Sequence, residues 1–130
     1  TVWDVPERAV GFGAAYAAIN TFGSMQVGLP AGPNFFLFSD PEASRRALST
    51  AGFIEASLVC VPQVWRVAEA DAVFEVLDQG TVRAAATLRA QTPEARAAIR
   101  QALHATIRAY RSGQGYEVPM PAALSFARKG

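Results

Sequence analysis

The first four residues place the tightest constraint on how this chain can fold. Thr1-Val2-Trp3-Asp4 reads as the end of a β-strand, and a strand must satisfy its amides and carbonyls on neighbouring strands. The chain is therefore expected to enter its fold partway through a larger sheet, so that Thr1 is not a natural domain start. A missing Met carries no weight by itself, because removal of an initiator Met also leaves a small residue such as Thr first. Asp4-Val5-Pro6-Glu7 follows at once as a helix-start signal, with an acidic N-cap, proline in the first turn and glutamate at the third helical position. Strand is expected to run straight into helix.

A chain of 130 residues that is 51% hydrophobic is expected to form one globular domain, burying roughly two thirds of its unfolded surface. Its net charge of +1 supplies no field to gather nucleic acid or an anionic membrane. One cysteine, Cys60, excludes an internal disulfide. The sequence contains neither a charged-then-apolar leader nor an apolar run of about 18 residues. The cytoplasm is the expected compartment.

Phe12, Tyr16, Ile19 and Phe22 recur at helical spacing before Gly23, with Gly11 and Gly13 inside the pattern. Each of those glycines costs about 1 kcal/mol relative to Ala, so packing must hold this helix. A loop over residues 24–34, punctuated by Gly28, Pro30, Gly32 and Pro33, leads into Phe35, Phe36 and Phe38. Ser39-Asp40-Pro41-Glu42 puts Ser39 and Glu42 in capping-box register, predicting a helix from Pro41 to about Thr50 and a left-handed stop at Gly52. Residues 53–61 read as a strand, interrupted by Pro62 before Val64-Trp65-Arg66-Val67. Two short helices jointed at Gly80 should follow from Asp71, and Thr92-Pro93-Glu94 starts a longer one. Its apolar stripe is Ala95, Ile99, Ala102, Leu103, Thr106, Ile107 and Tyr110, with Arg96, Arg100, His104 and Arg108 on another, solvated face. Residues 116–126 alternate, with Tyr116, Val118, Met120, Ala122, Leu124 and Phe126 on one side. This predicts a strand with one buried face, restricted to one edge or broken by a bulge at Pro119 and Pro121.

Several words in this sequence together resemble one family. Trp3-Asp4 with Pro6-Glu7, Phe35-Phe36 then Phe38-Ser39-Asp40-Pro41-Glu42, Ala51-Gly52-Phe53, Val64-Trp65-Arg66, Gly80-Thr81-Val82-Arg83 and Glu117-Val118-Pro119-Met120-Pro121 are similar to class I S-adenosylmethionine-dependent methyltransferases of the type 11 kind. The resemblance spans nearly the whole chain but matches only the C-terminal half of that family. It implies an α+β or partial α/β fold, the C-terminal portion of a Rossmann-like sheet, with about three strands and four to five helices. Trp3 would close the fifth strand, residues 41–50 would form the helix before the sixth, and residues 116–126 would be the antiparallel seventh. Residues 67–112 would be the helical cap over the substrate. The glycine-rich turn and the acidic residue that hold S-adenosylmethionine in the intact enzyme belong to the other half. The resemblance therefore implies no cofactor-binding or catalytic residue here, and a chain inactive alone.

What the resemblance does imply is an acceptor side. Phe35, Phe36, Phe38, Trp65 and Met120 would lie near the mouth for a small apolar acceptor, where loop aromatics suit a flat molecule as readily as they fill a core. Arg83 would orient an acidic or enolic acceptor, or simply be solvated. Other residues invite plainer readings. Gly11-Phe12-Gly13 lacks the third glycine and the full preceding strand of a dinucleotide loop. Cys60, between Val59 and Val61, reads as a small buried hydrophobe rather than a nucleophile. His104 stands between Arg100 and Arg108 at helical spacing, which favours an exposed polar face over a general base. No cluster of His, Cys and carboxylates has metal-ligand spacing. The alternative to a methyltransferase part is a small non-catalytic α+β module that binds an apolar ligand or itself. Residues 53–67 would expose a strand edge, which predicts a homodimer.

Overall fold

The computed structural model describes residues 1–130 as five α-helices and two antiparallel three-stranded sheets. The elements in chain order are β1 (Val2–Trp3), α1 (Val10–Phe22), α2 (Pro41–Thr50), β2 (Phe53–Val61), β3 (Val64–Val67), α3 (Ala72–Gly80), α4 (Arg83–Arg89), α5 (Pro93–Ile107), β4 (Arg111–Ser112), β5 (Gly115–Pro119) and β6 (Ala122–Lys129). One sheet has the order β1-β6-β2 and the other β3-β5-β4. The architecture is α+β.

The two sheets share one long ribbon. Val61 stands opposite Ala122 and Val64 opposite Pro119, three residues forward on one strand and three back on the other, so a single antiparallel register runs through both pairs. Prolines interrupt it. Pro62, Pro119 and Pro121 lack the N–H that a ladder requires, and the ribbon breaks where they cluster. Across the break the Met120 N–H donates to the Gln63 carbonyl at 2.9 Å, and the Asp4 N–H donates to the Pro121 carbonyl at 3.0 Å. The single strand expected over residues 116–126 is therefore β5 and β6, one in each sheet. Helices α3, α4 and α5 form the insertion at one end of the ribbon, between β3 and β4.

The helix starts divide by chemistry. Thr92 caps α5 by accepting the Ala95 N–H, and Asp40 caps α2 by accepting the Glu42 N–H, each with proline following in the first turn. The α2 cap is Asp40 rather than Ser39, which is buried in a 3-10 turn with its hydroxyl on the Phe36 carbonyl. Asp4 does not cap a helix at all. Its carboxylate accepts the Val5 N–H and two bonds from Arg8, and α1 begins only at Val10, without a side-chain cap. A buried carboxylate with a guanidinium four residues on has a stronger partner than helical amides.

One core cluster joins α1, α3 and α5 to β5, with Phe12, Ile19, Phe74, Leu77, Ile99, Leu103, Ile107, Val118 and Met120 all buried. From the expected α5 stripe, Ile99, Leu103 and Ile107 are in that core, while Thr106 is exposed. Of the arginines expected to be solvated, Arg108 is exposed, while Arg96 and Arg100 are engaged. Arg96 and Arg100 both lie over the Phe74 ring, at 5.3 and 5.0 Å from its centroid, Arg100 binds Asp71 and Glu75, and Arg96 binds Asp78. His104 is exposed. Cys60 is exposed as well, not buried, because β2 is an edge strand.

Gly13 is fixed by packing. A Cβ there would stand 2.2 Å from the Pro6 carbonyl oxygen, which is backbone and cannot move aside. Gly13→Ala should therefore lower stability by about 1–3 kcal/mol, against the roughly 1 kcal/mol that Ala otherwise adds to a helix. Urea denaturation reads this, with Gly80→Ala, where nothing lies within 4 Å, expected to be neutral or stabilising.

Candidate functional site

Phe12 is the hub of an aromatic cluster. Its ring centroid lies 5.9 Å from Trp3, 6.1 Å from Trp65, 5.5 Å from Phe35, 6.2 Å from Phe36 and 6.3 Å from Tyr16. Trp3 meets Trp65 edge-on at 5.8 Å and 90°, and Phe35 meets Phe36 at 5.0 Å and 88°. These are edge-to-face arrangements, in which the positive rim of one ring meets the negative face of the next. Four segments bring them together: Trp3 from β1, Phe12 and Tyr16 from α1, Phe35 and Phe36 from the loop before α2, and Trp65 from β3.

The cluster opens on one side. Trp3 and Phe35 line a cavity of about 410 Å³ with Thr1, Val2, Gln63 and Ala122. Phe35 remains 51% exposed, so its ring is both a contact of the hub and a wall of the cavity. A smaller cavity of about 280 Å³ is lined by Val2, Phe38, Ala47, Leu48 and Ser125. Val2 borders both.

The residues singled out in the sequence part company here. Phe35, Phe36 and Trp65 meet through Phe12. Phe38 is 45% exposed and lines the smaller cavity against α2. Met120 is fully buried, its Sδ accepting the Gly11 N–H at 3.2 Å. Arg83 reaches across to donate to the Pro30 carbonyl at 2.9 Å, pinning the loop over residues 24–34 to the start of α4. Trp3, Phe12 and Tyr16 are the members that sequence reasoning did not assign. For Phe12 and Tyr16 the only signal was an aromatic pair at i and i+4 on α1, and for Trp3 its place at a strand end.

The electrostatics of the cluster are sparse. The cavity beside Trp3 and Phe35 has no ionisable side chain among its lining residues. Burial pushes the Tyr16 phenol upward, partly opposed by the Arg83 charge. On the other side of β1, the Asp4 carboxyl is held below its ordinary value chiefly by hydrogen bonds from Arg8, against the cost of burial. The Cys60 thiol, 3.5 Å from Asp4, is pushed up by desolvation and by that carboxylate, which disfavours a reactive thiolate. No three His, Cys, Asp or Glu side chains converge to hold a metal.

A nucleoside donor such as S-adenosylmethionine does not fit these residues. Such a group needs a glycine turn at a strand-to-helix junction, where free amides face the ligand. Gly11 and Gly13 are instead inside α1, against Met120, Trp65 and the Pro6 carbonyl. The acid that ends β1, Asp4, is buried and committed to Arg8 and Val5. No protein-family model, curated protein or solved structure matches the chain. No helix is long and apolar enough to cross a membrane.

The depressed carboxyls set an acid limb for stability. Asp4 and Asp71 are both lowered, the second chiefly by hydrogen bonds from Arg100. Each contributes stability above the ordinary Asp range near 3.9, and loses it as pH falls through the lower folded value. Thermal melts from pH 7 to pH 2 should show this loss, and Asp4→Asn should be less stable at neutral pH with a shallower acid decline.

Proposed function

We propose that this chain is the acceptor-side, C-terminal part of an S-adenosylmethionine-dependent methyltransferase, supplying the substrate cap and the sheet edge and not binding the donor by itself. The observation that carries the reading is the aromatic wall at the cavity beside Trp3 and Phe35, with the α3–α5 insertion and β6 antiparallel to both its neighbours in support. A flat, apolar acceptor suits such a wall, because stacking and burial give affinity without a charged partner. The contribution of these residues to transfer is positional: they hold an acceptor in one orientation and keep water from it. In the intact enzyme Phe35, Phe36 and Trp65 line or support that acceptor surface, while Phe38, Met120 and Arg83 act from further away. The protein is read as cytoplasmic, with no nucleic-acid or membrane partner.

A second reading is a non-catalytic module that binds an apolar ligand, favoured by the lack of any ionisable side chain in the cavity lining. Both readings expect ligand at the aromatic wall. They differ over the donor.

Tryptophan fluorescence tests the wall, since Trp3 and Trp65 are the only tryptophans. Titrated with 1-naphthol, the chain should show saturable quenching that Phe35→Ala weakens about tenfold without altering circular dichroism; unchanged quenching would return Phe35 to a structural role. A thermal-shift titration with S-adenosylmethionine should give no displacement, whereas a bound donor at about 100 times its Kd would add about 2.7 kcal/mol. Restoration of donor binding by an N-terminal polypeptide with a glycine-rich strand-turn-helix selects the methyltransferase reading over the second.

A further inference from the structure

Strand β2 lies at the end of its sheet and pairs with β6 along one edge only. Free edges of this length are normally blunted by lysine, proline, inward charge or a bulge, because unpaired amides and carbonyls otherwise template another strand; in β2 the bulge lies between Ile54 and Ser57 and leaves residues 57–61 regular. Between Phe53 and Val61 there is no lysine and no proline, and the one charged side chain, Glu55, is bound by Arg128 of β6. Face and edge are open together. Val59 and Val61 stand opposite Leu124 and Ala122, beside Phe126, on the face away from α2, and Val59 and Phe126 are 43% and 52% exposed.

We propose that two copies of this chain pair antiparallel along β2, about a twofold axis through Val59. The register follows from the irregularities of the strand. Glu55, at φ 54°, and the register shift between Ile54 and Ser57 bend β2 at a bulge, and Pro62 ends it, leaving residues 57–61 as the regular part. Five residues pair over their full length with an identical copy only when the middle residue sits on the axis. Val59 then faces Val59, Ser57 faces Val61, and Leu58 faces Cys60. No charged residue lies within residues 57–61, so no like charges meet across the axis. The exposed apolar patches of the two copies become one, on a continuous six-stranded sheet, and the contact is isologous and closed. A foreign strand would meet the same amides, but the uncharged centre requires nothing beyond a second copy. The inference stands apart from the acceptor reading.

Sedimentation velocity of the full chain over rising micromolar concentration should show conversion to twice the monomer mass. In a Cys60→Ser background, Val59→Cys under a mild oxidant should give a covalent dimer, since facing Cα atoms of antiparallel strands lie about 4.5–5.5 Å apart, within disulfide reach. Ser57→Cys in the same background should not, because four strand residues, about 13 Å, separate the two copies of that position. Val59→Lys should shift the protein to monomer with unchanged circular dichroism; if that variant does not fold, the cysteine pair of variants decides. A monomer at every concentration, cross-linking of Ser57→Cys as efficient as that of Val59→Cys, or a dimer that persists in folded Val59→Lys overturns the proposal.

Discussion

Met120 ties the molecule together at the point where its sheets would otherwise separate. Its N–H bridges the break in the ribbon to Gln63, its side chain is fully buried, and its Sδ accepts the Gly11 N–H. The same residue thus holds β3 against β5 and fixes α1 over them. Glycine suits position 11 because a Cβ there would stand 2.9 Å from that sulfur and 3.1 Å from the Trp65 ring, so both side chains would have to shift. With α1 held this way, Phe12 packs against both Trp3 and Trp65, which also meet each other, and the aromatic cluster follows.

The two ends of the ribbon are covered from different sides. Over β3 and β5, the face carrying Val118, Met120 and Trp65 packs into the main core with α1 and α5. Over β2 and β6, α2 packs on the opposite face, where the Ser44 and Ser125 hydroxyls meet at 2.6 Å. The face of β6 that continues from Met120, with Leu124 and Phe126, therefore loses its cover beyond Trp3. Exposure of Phe126, Val59 and Val61 comes from this change of covering helix, since the strand alternation itself is uninterrupted.

Charge is used locally rather than as a field. Arg8 neutralises the buried Asp4, Arg96 and Arg100 sheathe Phe74 while answering Asp71, Glu75 and Asp78, and Arg83 pins a loop through a backbone carbonyl. Asp78 Oδ1 has no hydrogen bond, although the Arg89 Nε lies 3.4 Å away. The attraction is electrostatic, without an aligned hydrogen bond. Partly desolvated pairs of this kind leave their arginines little freedom to greet an anionic partner.

The sequence by itself determined the local grammar. Thr92-Pro93-Glu94, Asp40-Pro41-Glu42, Gly52 at φ 85° and the alternation of residues 116–126 each act through backbone and capping chemistry within a few residues, so most of the helices, the extended backbone of residues 116–126 and the joint at Gly80 were legible, whereas the edge position expected for that strand was not, because β5 and β6 are each the middle strand of a sheet. Phe35, Phe36 and Trp65 were legible as site candidates because aromatics in loops and at strand ends are conspicuous. Only the tertiary structure decided that Asp4 binds Arg8 instead of capping α1, that residues 116–126 divide between two sheets, that Cys60 is exposed, and that Trp3, Phe12 and Tyr16 complete the cluster. Each of those outcomes turns on which partner reaches a group first: a guanidinium over helical amides, a carbonyl across a proline break, aromatic rings from four separate segments. Competition of that kind is settled by packing in three dimensions, and no window of adjacent residues contains it.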